Sequence, residues 1–150
     1  MRRVTLPNQF LAEAARALAD GETVKIQITG ESMYPFIHSG KDTVEIVPCP
    51  PDGELPAWCC PFYQWGGNYM IHRYIGSEGC DCLMLGDGNV ARIERVPRAE
   101  IIGLLRRIYH ADGSVQDCTD PRWLRRAQWW YRLRPLRRWL LPFLKRIIRY

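Results

Sequence analysis

The sequence has no apolar run of the kind that crosses a membrane. A transmembrane helix needs about twenty consecutive apolar residues, and the run at residues 139–144 has only six, one of them a proline. Residues 1–10 include two arginines but no apolar segment of the length that a secretion signal requires. We therefore expect a cytoplasmic protein with neither a membrane span nor an export signal.

Acidic residues are missing from residues 121–150. This stretch holds ten of the 21 Lys and Arg residues and none of the 16 Asp and Glu residues, so residues 1–120 carry 11 basic against 16 acidic side chains. The net charge of +5 describes neither part, because an acidic body precedes a strongly basic tail. At 150 residues with 47% hydrophobic side chains, the chain suits one domain with a single core. We expect that domain at residues 1–120 and a separate amphipathic tail at residues 121–150.

The six cysteines lack the spacing of a zinc knuckle or ribbon, which uses the pattern Cys-x-x-Cys. Cys59 and Cys60 are adjacent, and a single residue separates Cys80 from Cys82. Without an export signal the expected surroundings are reducing, which favours free thiols over disulfides. We predict no metal and no cofactor, and a zinc site at these cysteines stays an open alternative.

Apolar and polar residues alternate along several short segments, as they do in half-buried β-strands. The first of them, residues 23–29, places Val24, Ile26 and Ile28 on one face. Strands are predicted at residues 23–29, 42–47, 69–75 and 80–85, whereas the apolar pattern at residues 101–109 fits either a strand or a helix. Prolines interrupt the apolar run at residues 56–63, which predicts an irregular or edge strand there. Apolar side chains three and four residues apart predict a helix at residues 8–20.

The tail has the pattern of short amphipathic helices. Its apolar stripe consists of residues three and four apart, namely Leu133, Leu136, Leu140, Phe143, Leu144 and Ile147. Pro135 and Pro142 are expected to break the helices. Together with four tryptophans, this basic segment suits an anionic membrane surface. Packing on the domain's own sheet and burial against a partner protein stay open, whereas nucleic acid is a weak candidate because no recognition motif accompanies the arginines.

Ser32 lies between a predicted strand and a turn that contains Gly30, Pro35 and Gly40. A strand that ends in a stiff turn can hold a nucleophile on rigid backbone. Pro35 restricts its own φ and favours an extended Tyr34, which stiffens the surroundings of the serine. The structural alternative is an ordinary turn serine whose hydroxyl binds nearby backbone.

Two further motifs follow Ser32 along the chain. The first motif is Gly30-x-Ser32-Met33-x-Pro35, the second is Tyr69-Met70-Ile71-His72-Arg73-Tyr74-Ile75, and the third is Leu85-Gly86-Asp87-Gly88-Asn89. In this order they resemble the sequence boxes of the signal peptidase and LexA-like superfamily of serine peptidases. The resemblance covers residues 21–108. It implies a strand at residues 101–109 that closes the sheet, within a mainly β, signal-peptidase-like domain. To this domain the sequence adds an N-terminal helix and a basic helical tail.

The resemblance also implies roles for particular residues. Ser32 corresponds to the nucleophile, His72 to the general base of the histidine type, and Asp87 to the carboxylate that orients the imidazole. A serine hydroxyl needs such a base, and the carboxylate fixes the histidine tautomer. The backbone N–H of Ser32 or Met33 would stabilise the oxyanion. Taken singly, His72 could be a half-buried structural histidine and Asp87 a turn residue.

Two functions remain as hypotheses. The first is a serine endopeptidase of signal-peptidase-like type that cleaves an extended peptide or protein segment laid against a sheet edge. The second is a peptide-binding β module of the same fold that does not cut, or that cuts only its own chain. In either case the tail could hold the protein at the inner face of the membrane.

Overall fold

The computed structural model describes residues 8–30, 32–50, 52–88 and 92–147. Its helices are α1 (Asn8–Ala19), α2 (Pro121–Arg132) and α3 (Arg137–Ile147). Its strands are β1 (Val24–Gln27), β2 (Thr43–Pro48), β3 (Pro61–Trp65), β4 (Asn68–Ile71), β5 (Arg73–Glu78), β6 (Asp81–Leu85), β7 (Ile93–Pro97), β8 (Ile101–Tyr109) and β9 (Val115–Asp117). The chain is therefore mainly β with an N-terminal helix and a helical tail, which confirms the predicted fold class.

The strands form two antiparallel sheets. In the larger sheet the order is β1-β2-β8-β3-β4, and β9 pairs with the second half of β8. The smaller sheet has the order β5-β6-β7. Because β1 and β4 end the larger sheet, each of them has a free edge, with which none of the described strands pairs.

The main core lies between α1 and the larger sheet. Alternation along the strands places Val44, Ile46 and Ile108 on the inner face, where all three are fully buried beside Leu18 of α1. Gly103 of β8 permits this close packing. A Cβ at that position would lie 2.7 Å from Ile46 Cγ2 and 2.9 Å from a backbone oxygen of β2.

Two strand predictions are corrected in part. The run interrupted by prolines is not at an edge, since β3 pairs with β8 on one side and with β4 on the other, but it is irregular, because its register with β8 shifts between Phe62 and Tyr63. Pro61 is the first residue of β3, a position where a missing N–H does little harm to the ladder. The single strand predicted at residues 69–75 divides at His72. The residues before it pair in the larger sheet and those after it pair in the smaller one.

The tail packs on the body through one face of its helices. Trp123 of α2 joins the main core, while Trp130 and Leu141 bury Tyr34 of the turn that carries Ser32. The N-terminus of α2 is capped by Asp120, whose carboxylate accepts a hydrogen bond from the backbone N–H of Arg122 at 2.9 Å. Packing on the domain is thus observed for this face of the tail.

The predicted stripe of the tail is divided between two surroundings. Leu140 and Leu144 are partly buried against Trp130, whereas Leu133, Leu136 and Phe143 stay exposed. The side chain of Ile147 lies outside the described part. Pro135 separates the two helices as expected, but Pro142 lies inside α3, so the second predicted break is wrong. No helix among the described residues is long and apolar enough to cross a membrane.

Candidate active site

Ser32 lies in a closed turn that joins β1 to β2. The turn is bounded by Gly30 and Gly40, with φ of 93° and 71°, conformations that glycine adopts without strain. The N–H of Gly40 donates to Ile28 O at 2.9 Å. Within the turn, the N–H groups of Phe36 and Ile37 each donate to Met33 O at 3.0 Å. This network holds the half-buried Ser32 on ordered backbone, as the motif predicts. Glu31 lies outside the described residues.

Ser32 and His72 line the same pocket, which has a volume of about 350 Å³. Arg92 adds a positive charge to the lining, and the apolar and aromatic part consists of Leu11, Ile26, Ile28, Met33, Phe62, Tyr69, Met70 and Ile71. Residues of β1 and of β4 both contribute to the wall, so the two free edges of the larger sheet border this pocket. An extended peptide could add to either edge there, with its side chains against the apolar lining.

His72 is held by Glu94 and Tyr63. Its Nδ1 lies 2.5 Å from Glu94 Oε1, and the Tyr63 hydroxyl donates to the same oxygen at 2.8 Å. His72 and Glu94 are only 5% and 1% exposed. An Nδ1–H that donates to the carboxylate fixes the tautomer in which Nε2 carries the lone pair. His72 can therefore accept a proton at Nε2 from a group in the pocket.

The electrostatics of this cluster favour an ionised Glu94. Burial raises the pKa of Glu94, but the hydrogen bond and charge of His72, with the hydrogen bond of Tyr63, outweigh burial and leave that pKa below its ordinary value. Burial and then the Glu94 charge raise the pKa of Tyr63, so the phenol keeps its proton and serves as a donor. A carboxylate in this state orients the imidazole and stabilises an imidazolium.

Asp87 does not contact His72, contrary to its predicted role. Its carboxylate forms a bidentate ion pair with Arg73, with Nη2–Oδ2 at 2.6 Å and Nε–Oδ1 at 3.2 Å. His72 and Arg73 are successive residues of extended chain, so their side chains lie on opposite sides. The buried guanidinium of Arg73 requires a carboxylate partner, which is Asp87. Glu94 occupies the place predicted for Asp87, and Asn89, the last residue of the third motif, lies outside the described residues.

Asp87 instead belongs to a loop that supports the nucleophile turn. The N–H of Gly88, the next residue, donates to Ser32 O at 2.8 Å. On the other side, the indole N–H of Trp130 donates to Asp87 O at 2.7 Å. The third motif and helix α2 are thus connected to the backbone of Ser32 by two hydrogen bonds.

The resemblance assigns the role of oxyanion donor to the backbone N–H groups of Ser32 and Met33. Among the hydrogen bonds of the described residues, none uses either N–H. A free N–H beside the nucleophile can stabilise the charge that develops on an attacked carbonyl oxygen. In the same part of the chain no hydrogen bond joins Ser32 to His72. Such bonds are often long without substrate and shorten in the substrate complex.

The cysteines contribute nothing to this pocket. All six are free thiols, and none of them lines it. Burial raises the pKa of Cys60 to about 12, so that thiol stays protonated near neutral pH. Within the described ranges, no group of three or more His, Cys, Asp or Glu side chains is arranged to hold a metal ion.

Glu94 and Tyr63 were not predicted from the sequence. A signal for Glu94 exists in β7, where Ile93 and Arg95 face solvent while Val96 is buried. Strand alternation places Glu94 on the same inner face as Val96. A carboxylate in that position requires a hydrogen-bonding partner. The sequence contains no comparable signal for Tyr63, because the two residues before it on β3, Pro61 and Phe62, are buried as well.

The superfamily resemblance rests on the three sequence motifs. In the structure, a serine, a histidine and a buried carboxylate lie around one pocket. Comparison with models of protein families and with curated proteins finds no match to this chain.

Proposed function

We propose that this chain is a serine endopeptidase of the signal peptidase and LexA-like superfamily, which cleaves an extended peptide or protein segment. One observation supports the proposal most strongly. Ser32, on a closed turn, shares a pocket with His72, whose Nδ1 is bonded to the buried carboxylate of Glu94. A histidine that is merely structural has no need of a pocket shared with a turn serine.

The acylation step follows from this arrangement. Ser32 Oγ attacks the carbonyl carbon of the scissile peptide bond while its proton passes to His72 Nε2. Glu94 stabilises the imidazolium that forms, and the N–H groups of Ser32 and Met33 donate to the oxyanion. The imidazolium then gives the proton to the leaving amine, and the C–N bond breaks.

Hydrolysis of the acyl-enzyme uses the same groups. Water attacks the ester carbon and transfers a proton to His72 Nε2, which returns it to Ser32 Oγ as the C–O bond breaks. No cofactor takes part in either half-reaction. The role of Asp87 in this mechanism is to position Ser32 through the adjacent Gly88 N–H rather than to bind the base.

The proposed substrate is an extended segment with apolar side chains. The free edges of β1 and β4 offer main-chain hydrogen bonds on the two sides of the pocket, and both strands contribute apolar side chains to its lining. We place the enzyme in the cytoplasm, where a peptide or protein of the same compartment is its substrate.

A peptide-binding module that does not cut, or that cuts only its own chain, is the second candidate. The same two edges favour binding, and the missing hydrogen bond between Ser32 and His72 suits a module that binds without cleavage. The two candidates differ in what happens to a peptide once it is bound.

Incubation with a mixture of extended peptides, followed by mass spectrometry, tests the proposal. The wild type is expected to produce new termini from some peptides, and Ser32→Ala is expected to produce none while still binding them. Ser114→Ala is the matched control, because Ser114 lies in an exposed turn outside the pocket. If the wild type binds peptides and leaves them intact, or if Ser32→Ala cleaves as fast as the wild type, the endopeptidase proposal fails.

A further inference from the structure

The tail has an exposed apolar surface on the side that faces away from the body. Eight large apolar side chains are exposed in the described part of the chain, and five of them belong to the tail. These five, which we call the tail stripe, are Trp129, Leu133, Leu136, Trp139 and Phe143, with exposed fractions from 38% to 68%. So many large exposed side chains in a short stretch mark an interaction surface.

The body does not account for the tail stripe. The tail helices already bury other residues against it, including Trp123, Ala127, Trp130 and Leu141. Those contacts fix the orientation of the helices and leave the tail stripe on the outer side. The tail stripe is therefore mostly exposed and accessible to an occupant other than the domain's own sheet.

Basic residues surround the tail stripe. Arg125, Arg126 and Arg132 lie one helical turn from Trp129 and are exposed, and the Arg132 guanidinium lies 5.4 Å from the centre of that indole ring. Arg146, also exposed, lies three residues after Phe143. Residues 121–150 contain no acidic side chain that could neutralise them.

The combination of exposed apolar side chains and surrounding arginines distinguishes between two possible occupants, a second copy of the chain and a lipid surface. A second copy of the chain docked at the same surface would bring two uniformly basic segments together, and like charges at an interface oppose association. An anionic leaflet offers apolar depth for the rings and negative charge for the arginines. The helices have 12 and 11 residues, which is enough to lie in the interface and too few to cross it.

We propose that the tail stripe docks on an anionic lipid surface, with α2 and α3 lying in the plane of the headgroups. Tryptophan rings favour that layer, and the arginines on the same side contact lipid phosphates and carboxylates. The proposal does not depend on the peptidase function, because no residue of the tail stripe lines the pocket.

Co-sedimentation of the full chain with vesicles tests the proposal, with phosphatidylcholine alone compared against phosphatidylcholine containing phosphatidylserine. The wild type is expected to bind the anionic vesicles, and less so at high salt. Trp129→Gln/Phe143→Gln should lower the partition coefficient at least about ten-fold, because both apolar side chains leave the lipid. Arg125→Gln/Arg126→Gln should lower it about ten-fold at low salt.

A matched control separates the tail stripe from general surface hydrophobicity. Phe10 and Val115 are 51% and 53% exposed outside the tail, so Phe10→Gln/Val115→Gln should bind vesicles as the wild type does. Ser32→Ala should also bind fully, which distinguishes this proposal from the peptidase proposal. Equal binding by the tail variant and the control, no preference for anionic vesicles, or a loss of dimers instead of a loss of lipid binding would overturn the inference.

Discussion

At the residue scale, two buried carboxylates pair with two basic side chains that are adjacent in the chain. Glu94 bonds His72 on one side of the chain, and Asp87 pairs with Arg73 on the other. The first pair borders the pocket, whereas the second supports the loop behind Ser32. Substitution of the two acids should therefore have different consequences, one mainly for activity and the other mainly for stability.

Glu94→Gln is expected to lower kcat/KM for peptide cleavage at least about ten-fold, because a neutral amide cannot stabilise the imidazolium of His72. The matched control is Glu78→Gln, which removes a carboxylate from an exposed ion pair with Arg95. The measurement is the peptide cleavage rate of the wild type, of Glu94→Gln and of Glu78→Gln. If both variants retain wild-type activity, Glu94 does not act through His72.

Glu94 should also contribute to the pH dependence of stability. Its pKa in the folded protein lies below the ordinary value of 4.5, so between the two values the unfolded chain binds a proton that the folded chain does not. The free energy of unfolding should therefore fall as the pH decreases through this window. Urea unfolding between about pH 6 and pH 3 should show a shallower decrease for Glu94→Gln than for the wild type. Parallel pH profiles would contradict this assignment.

Asp87→Asn is expected to destabilise the fold by about 3–5 kcal/mol, because it leaves the buried guanidinium of Arg73 without a charged partner. Glu78→Gln is the comparison, since Glu78 and its partner Arg95 are both 58% exposed and such pairs contribute less than about 1 kcal/mol. Urea unfolding near neutral pH measures both changes. A similar small loss in the two variants would show that the Arg73 pair is not essential.

At the scale of elements, α2 contacts the surroundings of Ser32 in two ways. One is a hydrogen bond to the loop that supports the nucleophile turn, and the other is a group of packed rings. The Trp130 indole donates to Asp87 O, and the Arg73 guanidinium lies over the rings of Phe36 and Trp123 at 5.0 and 4.3 Å. Phe36 belongs to the turn and Trp123 to the helix. Through these contacts α2 supports the pocket from outside it.

Trp130→Phe is expected to cost about 1 kcal/mol of stability, because the backbone oxygen of Asp87 loses its donor. It should also lower the rate of peptide cleavage, since Gly88, the residue after Asp87, holds Ser32 in place through its backbone N–H. Trp129→Phe is the matched control at the neighbouring position, where the ring is 62% exposed, and should change stability by less than about 0.5 kcal/mol. Equal effects of the two substitutions would contradict a supporting role for α2.

Local patterns in the sequence predict most elements of this fold. Residue alternation alone yields β1, β2 and β6 with small errors at their ends, whereas apolar content leaves β8 ambiguous and the resemblance assigns it as a strand. Ser32 and His72 follow from the motifs. The sequence does not show that the chain changes sheets at His72, because that depends on pairing with distant strands. Glu94 depends on the same pairing, since β7 must lie beside β6 to bring it to the imidazole.

At the scale of the whole molecule, body and tail form one packed unit despite their opposite charges. Trp123 contributes to the main core, and Tyr34 is covered by residues of α2 and α3. Removal of the tail would expose both regions, so point variants on the outer surface are better probes of the tail than truncation. In the proposed lipid-bound state, the charge difference between the two parts would orient the molecule at the anionic surface.

Activation of Ser32 by His72 and Glu94 is tested by the rate at which a fluorophosphonate labels the full chain, with the modified residue mapped by mass spectrometry. Such a probe reacts with a serine only when a nearby base activates its hydroxyl. If His72 and Glu94 activate Ser32 as proposed, the wild type is labelled at Ser32 alone and Ser32→Ala is not labelled. In that case His72→Ala and Glu94→Gln are also labelled more slowly, while Glu78→Gln reacts as the wild type does. Labelling at another serine, or labelling of Ser32 at an unchanged rate in His72→Ala, would contradict this activation.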